Sequence, residues 1–233
     1  TFVDTAGIRR KKAEHEVVDK FAAIRTKRAI QYSDIVILLL DATEGITSQE
    51  KKMASMIQEE GKPCLVFFNK WDLVADHRME HCLKNFRDNV PFLAHCPTSF
   101  GSALTGRNLL KLFPDVENVY TQSNRRITTG ELNKFLSHQI QLTPPPMMTG
   151  KRLRVYYATQ VKTTPPTFTL FVNYRRLMTN TYMRFINNRF RETFGFQGTP
   201  IFFFMKEKTN KTYDSASSQN YNKESTEFVH IGQ

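Results

Sequence analysis

The sequence predicts an α/β fold, with a mostly parallel sheet in its first part and a small α+β domain after it. Residues 1 to about 120 alternate short apolar runs of strand type with segments of helical periodicity, which is typical of a parallel sheet. The charge then changes. Residues 1–119 hold 17 Lys and Arg against 16 Asp and Glu, whereas residues 120–213 hold 15 against 3. Two modules with different partners are therefore expected, and a polyanion such as RNA suits the basic one.

The elements of the first part follow from apolar spacing and punctuation. Val18 to Ile30 has helical spacing, and either Thr47 or Ser48 is placed to cap a helix that stops at Gly61. Residues 77–88 and the leucines from Leu109 to Phe113 predict two further helices. The predicted strands are the end of one at Phe2-Val3, Asp34 to Leu40, Cys64 to Phe68, and Phe92-Leu93-Ala94.

Two of these strands end in residues suited to a nucleotide. Asn69-Lys70-Trp71-Asp72 follows a buried strand, and ligands of parallel sheets bind outside the carboxyl ends of the strands. The Asp72 carboxylate can accept two hydrogen bonds from the ring N–H and amino group of guanine, which adenine lacks. The Lys70 stem can lie along the base, and the Asn69 amide can both tie the loop and reach the purine. Taken alone, this tetrapeptide is equally typical of a plain polar turn.

A second motif, Asp4-Thr5-Ala6-Gly7, follows Phe2-Val3. In nucleotide hydrolases with this arrangement the Asp holds Mg²⁺, usually through water, and the Gly lets its backbone N–H approach the terminal phosphate. The charged residues 8–20 that follow are either a segment that reorders with the nucleotide or a solvated loop. A third candidate, Ser102-Ala103-Leu104, forms a turn that can aim a backbone N–H at the guanine oxygen.

Composition excludes several classes. No stretch approaches 18 apolar residues, so no membrane span is predicted. The three cysteines, Cys64, Cys82 and Cys96, are odd in number and have no Cys-x-x-Cys spacing. That argues against zinc and a disulfide framework and favours a reducing compartment, with all three as small buried hydrophobic residues.

These motifs, in this order, resemble the third, fourth and fifth motifs of translation-factor-related GTPases. Three longer phrases resemble those of the Der (EngA) family: Asp4 to Arg10, Asp41 to Thr47, and Asn69 to Leu73. The resemblance covers nearly all residues from 1 to about 208. It implies a partial G domain at 1–119 and a KH-like domain at 120–208, with 209–233 as a disordered tail.

The resemblance also implies a function. Der proteins are cytoplasmic bacterial GTPases with two tandem G domains and a KH-like domain, and they act in assembly of the large (50S) ribosomal subunit. The implied ligands are GTP or GDP with Mg²⁺ at Asp4, and the implied partner is the 50S subunit or its ribosomal RNA, with no membrane or DNA partner. A monomer is expected.

Some parts of the family pattern are missing: the sequence contains no Gly-x-x-x-x-Gly-Lys-Ser/Thr phosphate loop, and it lacks the first-switch threonine and the first G domain as well. We therefore expect a C-terminal fragment that does not hydrolyse GTP by itself, and assign no general base. A smaller departure from the family pattern is Phe100-Gly101 ahead of Ser102. The rival hypothesis is an RNA-binding module with a vestigial G domain. An adenine-nucleotide enzyme is disfavoured by Asp72.

In the second part, helical and strand patterns follow in the order α-β-β-α-β. Basic residues supply the RNA-contact candidates, which could instead dock this module on the G domain: Lys151, Arg152, Arg154, Arg175 and Arg176. Gly195-Phe196-Gln197-Gly198 matches the Gly-x-x-Gly clamp of KH domains. It joins a helix to a strand rather than two helices, so a structural turn is favoured. The aromatic residues of this part are interpreted as core.

Overall fold

A computed structural model describes residues 1–3, 16–74, 78–148 and 150–208; for 16–22 it describes the backbone only. The described residues form two compact units. The first holds those of 1–125 together with Phe196–Pro200, and the second holds those of 126–195 and 201–208. The predicted boundary after residue 119 lies inside a helix, Leu112–Ser123, and the units divide after Arg125. The limits of the predicted domains and tail stay predictions.

The first unit alternates helices and strands in the predicted manner. Its elements are α1 (Glu16–Tyr32), β1 (Val36–Asp41), α2 (Ser48–Glu59), β2 (Cys64–Asn69), α3 (Met79–Asn89), β3 (Thr98–Phe100) and α4 (Leu112–Ser123). The strands pair in the order β1-β2-β3, and both pairs are parallel. The predicted α/β class with a parallel sheet is confirmed.

Strand β2 lies at the centre of this sheet and of the core. Its first five residues are all buried, which is why they form one continuous apolar run rather than an alternation. Trp71, Phe86 and Ile57 pack in the same cluster. Among the cysteines, Cys64 and Cys96 are buried and Cys82 is half-buried. Burial raises the pKa of the Cys82 thiol, against a smaller opposing effect of Arg78.

The N-terminus of α2 shows how local sequence fixes an element. Thr47 is the N-cap: its hydroxyl accepts the Gln49 N–H, and the Glu50 side chain accepts the Thr47 N–H at 2.9 Å. This reciprocal capping satisfies backbone donors that a helix start leaves unpaired. The helix ends at Glu59, and Gly61 follows with φ of +64°. Thr47, rather than Ser48, is therefore the cap.

Two predicted strands of this unit are wrong. Pro91–Leu93 forms a 3₁₀ helix, because Pro91 supplies the fixed φ of a first turn and Leu93 is buried beneath it. The third strand is Thr98–Phe100 instead, directly ahead of the predicted turn at Ser102-Ala103-Leu104. Residues 1–3 form no strand and are exposed; Phe2 contacts Phe113 edge-to-face, with 6.0 Å between ring centroids.

The second unit has the predicted α-β-β-α-β order, with a short hairpin added between its first helix and its first long strand. Its elements are α5 (Thr129–Leu142), a short hairpin of β4 (Met147–Met148) and β5 (Lys151–Arg152), β6 (Val155–Lys162), β7 (Thr167–Val172), α6 (Asn180–Phe194) and β8 (Phe202–Glu207). The main sheet has the order β6-β7-β8, antiparallel and then parallel. Thr128 caps α5 in a capping box with Glu131, as predicted.

Both long helices of this unit pack on one face of the sheet. Phe190 of α6 contacts Phe135 of α5 and Phe168 of β7, with ring centroids 5.6 Å and 4.8 Å apart. Asn133 of α5 also pairs with the β6 backbone: its Nδ2 donates to the Ala158 carbonyl at 2.9 Å, and its Oδ1 accepts the Ala158 N–H at 2.8 Å. One side chain thereby satisfies two backbone groups at the sheet edge. Within the described parts of the chain, no helix has the length and apolarity needed to cross a bilayer.

The segment Phe196–Pro200 belongs to the first unit. The Gly198 carbonyl accepts the Cys64 N–H at 2.7 Å, and the Gly198 N–H donates to the His95 carbonyl at 2.9 Å. A Cβ at Gly198 would lie 2.7 Å from a Val119 methyl group, and its φ is +72°, so only glycine fits. These contacts support the structural-turn interpretation of Gly195-x-x-Gly198.

Candidate functional site

The carboxyl ends of β1 and β2 meet at one edge of the parallel sheet. Asp41 and Asn69 are register partners, each the last residue of its strand. The Asn69 carbonyl accepts the Ala42 N–H at 3.0 Å, which holds the two chain exits side by side. The edge at which parallel sheets bind ligands is therefore formed by the two motifs that the sequence singles out, Asp41 to Thr47 and Asn69 to Leu73.

Lys70 is fixed at this edge by an ion pair that the sequence pattern does not reveal. Its Nζ lies 2.5 Å from an Asp41 carboxylate oxygen, and the other oxygen accepts the Thr43 N–H at 2.9 Å and the Thr43 hydroxyl at 2.6 Å. Lys70 has φ of +60°, in the left-handed region. An uncommon backbone conformation and a carboxylate partner thus together set the direction of its stem.

The same contacts shift the pKa of Asp41. Partial burial is the largest single effect and raises that pKa, but the hydrogen bonds from Lys70 and Thr43 and the Lys70 charge outweigh it. The net result is a pKa of about 2, below the ordinary value of 3.8. Asp41 therefore remains charged, and Lys70 paired, throughout the neutral range.

Trp71 anchors the turn that carries Asp72. Residues Trp71–Leu73 form a 3₁₀ helix in which Trp71 is buried, with its ring centroid 4.6 Å from that of Phe100. Its backbone N–H donates to the Gly101 carbonyl at 3.0 Å. Asp72, the next residue, is exposed to solvent. A buried indole followed by an exposed carboxylate fixes the backbone while leaving Asp72 accessible to a ligand.

The structure brings Ser102-Ala103-Leu104 to the same place. The Asn69 side-chain oxygen accepts the Ala103 N–H at 2.9 Å, across 34 residues of sequence. This bond is the loop tie expected of Asn69. The Ala103 N–H is therefore already paired, although it is one of the backbone donors of the turn that is predicted to face guanine. Ser102 is buried and its hydroxyl accepts the Thr105 N–H, whereas Leu104 is exposed.

Gly101 connects the turn after β2, which carries Asn69 to Leu73, to the turn that carries Ser102 to Leu104. Its N–H donates to the Phe68 carbonyl and its carbonyl accepts the Trp71 N–H, both at 3.0 Å. A Cβ here would lie 2.5 Å from the Arg107 carbonyl oxygen and 2.6 Å from Phe67. The glycine ahead of Ser102, which departs from the family pattern, therefore permits a close backbone approach that holds the turn firmly.

Asp4, Thr5, Ala6 and Gly7 lie outside the described residues, as do residues 8–15 of the predicted switch segment. Among the residues that the structure describes, no group of three or more His, Cys, Asp or Glu is placed to hold a metal ion. The Mg²⁺ site at Asp4 stays a prediction.

The five basic candidates of the second unit gather around one loop. Lys151 Nζ and the Arg176 guanidinium both lie over the Tyr174 ring, 4.7 Å and 5.6 Å from its centroid. Neighbouring Asn173 accepts the Arg154 N–H and donates to the Arg152 carbonyl, both at 3.0 Å. The Arg175 N–H donates to Glu207 at 2.7 Å.

All five of these basic side chains are exposed. We call them, with Tyr174, the basic cluster. Asn173 and Tyr174 organise the cluster but were not predicted as site residues. The one available signal in the sequence was their position directly before Arg175.

Comparisons with known proteins divide the chain at almost the same place as the structure. Residues 20–127 match the family model for the elongation factor Tu GTP binding domain. Residues 126–206 match the model for the KH-domain-like region of EngA bacterial GTPase enzymes. GTPase Der of Protochlamydia amoebophila is 58% identical over 211 residues, which is 91% of this chain and 43% of that protein. The chain belongs to the Der (EngA) family.

Other Der proteins match similarly. GTPase Der of Alkaliphilus oremlandii is 42% identical over 90% of this chain and 48% of its own length. The chain thus spans about half the length of the curated Der relatives it matches. A crystal structure of an Aquifex aeolicus Era variant bound to GDP·AlF₄⁻ superposes with a TM-score of 0.43 at 16% identity, covering 88% of this chain and 74% of that one.

Proposed function

We propose that the first unit carries the guanine-reading half of a GTP site. The observation that supports this most directly is the clustering of Asn69, Lys70 and Asp72 with the 102–104 loop at one sheet edge. Asp72 accepts the guanine N–H groups, Lys70 lies along the base, and Asn69 has its amide nitrogen for the purine while its oxygen holds Ala103. Ser102, Ala103 and Leu104 close the site around the base.

Phosphate binding and hydrolysis are assigned to the rest of the family pattern. Asp4 holds Mg²⁺ through water, and Thr5, Ala6 and Gly7 face the terminal phosphate. In the full-length family context the reaction is hydrolysis of GTP to GDP and phosphate. Because the 233-residue chain contains no phosphate-loop motif, a sample of it is expected to bind guanine nucleotides weakly and to hydrolyse none.

A nucleotide titration tests this proposal. Backbone amide NMR spectra of the full chain, recorded with GDP and separately with ADP, are expected to shift around residues 69–73 and 102–104 with GDP alone. Equal shifts with ADP would contradict guanine recognition. A single-turnover assay checks the second expectation: hydrolysis of radiolabelled GTP above the protein-free rate would contradict it.

For the second unit we propose RNA binding in assembly of the large ribosomal subunit, in the cytoplasm and as a monomer. The basic cluster supports this, because five exposed cations around one loop suit the phosphates of a nucleic acid better than they suit a neutral partner. The rival hypothesis is an RNA-binding module whose G domain is vestigial.

Salt dependence tests the RNA proposal. If the cluster neutralises about five phosphates, the affinity for single-stranded ribosomal RNA falls with a log–log salt slope of roughly −3.5. The double variant Lys151→Gln, Arg176→Gln is expected to reduce that slope by roughly 1.4. The matched control is Lys52→Gln, an exposed lysine of the first unit, which is expected to leave it unchanged. A slope near zero in the parent would overturn the proposal.

Guanine preference separates the two hypotheses. If RNA binds as expected but GDP and ADP are equally ineffective in the NMR titration, the vestigial-domain hypothesis holds. If both the guanine preference and the RNA binding are observed, the GTPase hypothesis holds.

A further inference from the structure

The β6-β7-β8 sheet has two unlike faces. Residues that point to one face are buried beneath α5 and α6: Ala158, Phe168, Leu170 and Phe203 are each at most 2% exposed. Because side chains alternate along a strand, the residues between them point the other way. The helix-covered face therefore accounts for the core of this unit, and the outer face requires a separate explanation.

An aromatic pair and a lysine form a row across that outer face. Tyr157 of β6 is the register partner of Phe171 of β7, and Phe171 is the register partner of Lys206 of β8. The Tyr157 and Phe171 rings are stacked, with centroids 4.2 Å apart and planes 13° from parallel. We call Tyr157, Phe171 and Lys206 the outer row.

The outer row is accessible. Tyr157 is 42% exposed, and Lys206 is exposed as well. The next row along the sheet pairs Thr159 with Thr169 and Thr169 with Phe204, so two threonines interrupt the apolar surface between the stacked rings and a third, half-buried ring. A protein partner that buries a broad apolar surface fits such a face poorly. A single planar ring, added to an existing stack, fits it well.

Charge indicates the kind of molecule that carries the ring. Residues 126–208 hold 13 Lys and Arg against three Asp and Glu, so the unit attracts polyanions. Within the outer row itself, Lys206 stands one strand spacing from the stacked rings, about 5 Å away along the sheet. Aromatic rings on a strand with a neighbouring cation are the elements with which proteins hold single-stranded nucleic acid: stacking for the base, and charge for the phosphate.

We propose that the outer row is a binding site for single-stranded RNA, in which one base stacks on Tyr157 and Lys206 contacts an adjacent phosphate. The inference rests on the proposed RNA-binding function of this unit and gives it a base-stacking site apart from the basic cluster. Stacking on an aromatic side chain tolerates any base, so the site recognises unpaired strand rather than sequence.

The experiment uses the full chain and a uridine decamer containing one 2-aminopurine, whose fluorescence falls when it stacks on an aromatic ring. Uridine neighbours stack poorly, so quenching on binding reports the protein. The parent is expected to quench the probe. Tyr157→Ala is expected to lose the quenching and to bind roughly 5- to 100-fold more weakly by fluorescence anisotropy, whereas Tyr157→Phe retains both.

Tyr156 supplies a matched control. It is the adjacent residue of the same strand and is 45% exposed, but its ring lies under Lys208 rather than on Phe171. Tyr156→Ala is expected to keep the quenching and to change the affinity less than about 2-fold. Lys206→Gln is expected to keep the quenching and to reduce the log–log salt slope by roughly 0.7, the value for one phosphate on a single strand. Far-UV circular dichroism verifies that each variant is folded.

Four results would overturn the proposal. Quenching that survives Tyr157→Ala places the base elsewhere. If RNA binding depends on Lys151 and Arg176 but never quenches the probe, the stacking site is refuted and the RNA-binding function of the unit still holds. Loss of self-association in Tyr157→Ala by sedimentation, without any probe quenching in the parent, makes the outer row a contact between copies of the chain. A parent that binds no RNA refutes the RNA function as well.

Discussion

Substitution of Gly101 by alanine tests whether the two loops of the nucleotide site are held by close backbone contact. A Cβ at this position would lie 2.5 Å from the Arg107 carbonyl oxygen and 2.6 Å from the Phe67 ring. Favourable contacts between such atoms begin at about 3.5 Å, so something must move by about 1 Å. Neither neighbour yields easily, because Phe67 is buried in the central strand and the Arg107 carbonyl accepts the Ser102 N–H.

Overpacking of this kind costs about 1–3 kcal/mol. For a urea slope of about 2 kcal/mol per molar, the unfolding midpoint is expected to fall by roughly 0.5–1.5 M. The assay is urea unfolding followed by tryptophan fluorescence. Trp71 is the single tryptophan of the sequence, is buried, and donates its backbone N–H to the Gly101 carbonyl, so its emission reports the first unit and this loop.

Gly106→Asn is the matched control. Gly106 lies in the same loop with φ of +76°, and a Cβ there would meet no atom within 4 Å. Asparagine tolerates that backbone conformation, so the midpoint is expected to change by the equivalent of less than about 1 kcal/mol. An unchanged midpoint in Gly101→Ala, or an equal loss in both variants, would refute the reasoning that close contact at Gly101 holds the site.

Three further predictions follow from single contacts. Asp41→Asn removes the ion pair with Lys70. Because the Asp41 pKa is lowered on folding, the ion pair stabilises the protein above about pH 4 and this stabilisation is lost as the pH falls toward 2. The urea midpoints of parent and variant are therefore expected to converge near pH 2. Asn133→Ala unpairs both backbone groups of Ala158 and is expected to destabilise the second unit by about 1–3 kcal/mol in thermal melts followed by circular dichroism. Thr128→Ala removes the α5 cap at a cost of about 1 kcal/mol in the same melts.

A specific result would contradict each of these predictions. If the difference in urea midpoint between the parent and Asp41→Asn is constant from pH 7 to pH 2.5, the ion pair contributes nothing to stability. For Asn133, the isosteric Asn133→Leu restores volume but not the bonds, so equal stability of the parent and that variant would dismiss the pairing. A Thr128→Ser variant retains a hydroxyl and should melt like the parent; if it loses as much as Thr128→Ala, the cap is not the cause.

Much of the fold was predictable because apolar runs and caps are local signals. Strand β2 is apolar at every one of its first five positions because it is covered on both faces, and Thr47 and Thr128 begin helices with the expected capping partners. The third strand was missed because Thr98–Phe100 is only three residues long and is defined by pairing with β2 rather than by its own pattern. Short strands of this kind depend on tertiary contact.

The candidate site was likewise predictable where the signal is local and was missed where it depends on tertiary contact. Asn69, Lys70, Asp72 and Ser102-Ala103-Leu104 were assigned from motifs whose order is written in the sequence. The Asp41–Lys70 pair was missed because it joins residues 29 apart, and only the parallel register of β1 and β2 makes them neighbours. The Tyr157–Phe171 stack was missed for a related reason, since aromatic residues on strands are usually interpreted as core and exposure is a property of the folded sheet.

The carboxylate of Asp72 offers the most direct test of guanine recognition. Asparagine at this position presents an amide N–H group that suits the 2-oxo group of xanthine and not the 2-amino group of guanine. Dissociation constants of guanosine and xanthosine 5′-monophosphate, measured by NMR titration of the parent chain and of Asp72→Asn, give the preference of each. Hydrogen bonds to a charged group contribute about 1.5–3 kcal/mol, so a change in preference of roughly 10- to 100-fold toward xanthosine is expected. The same preference in parent and variant would contradict guanine recognition by the Asn69–Asp72 turn.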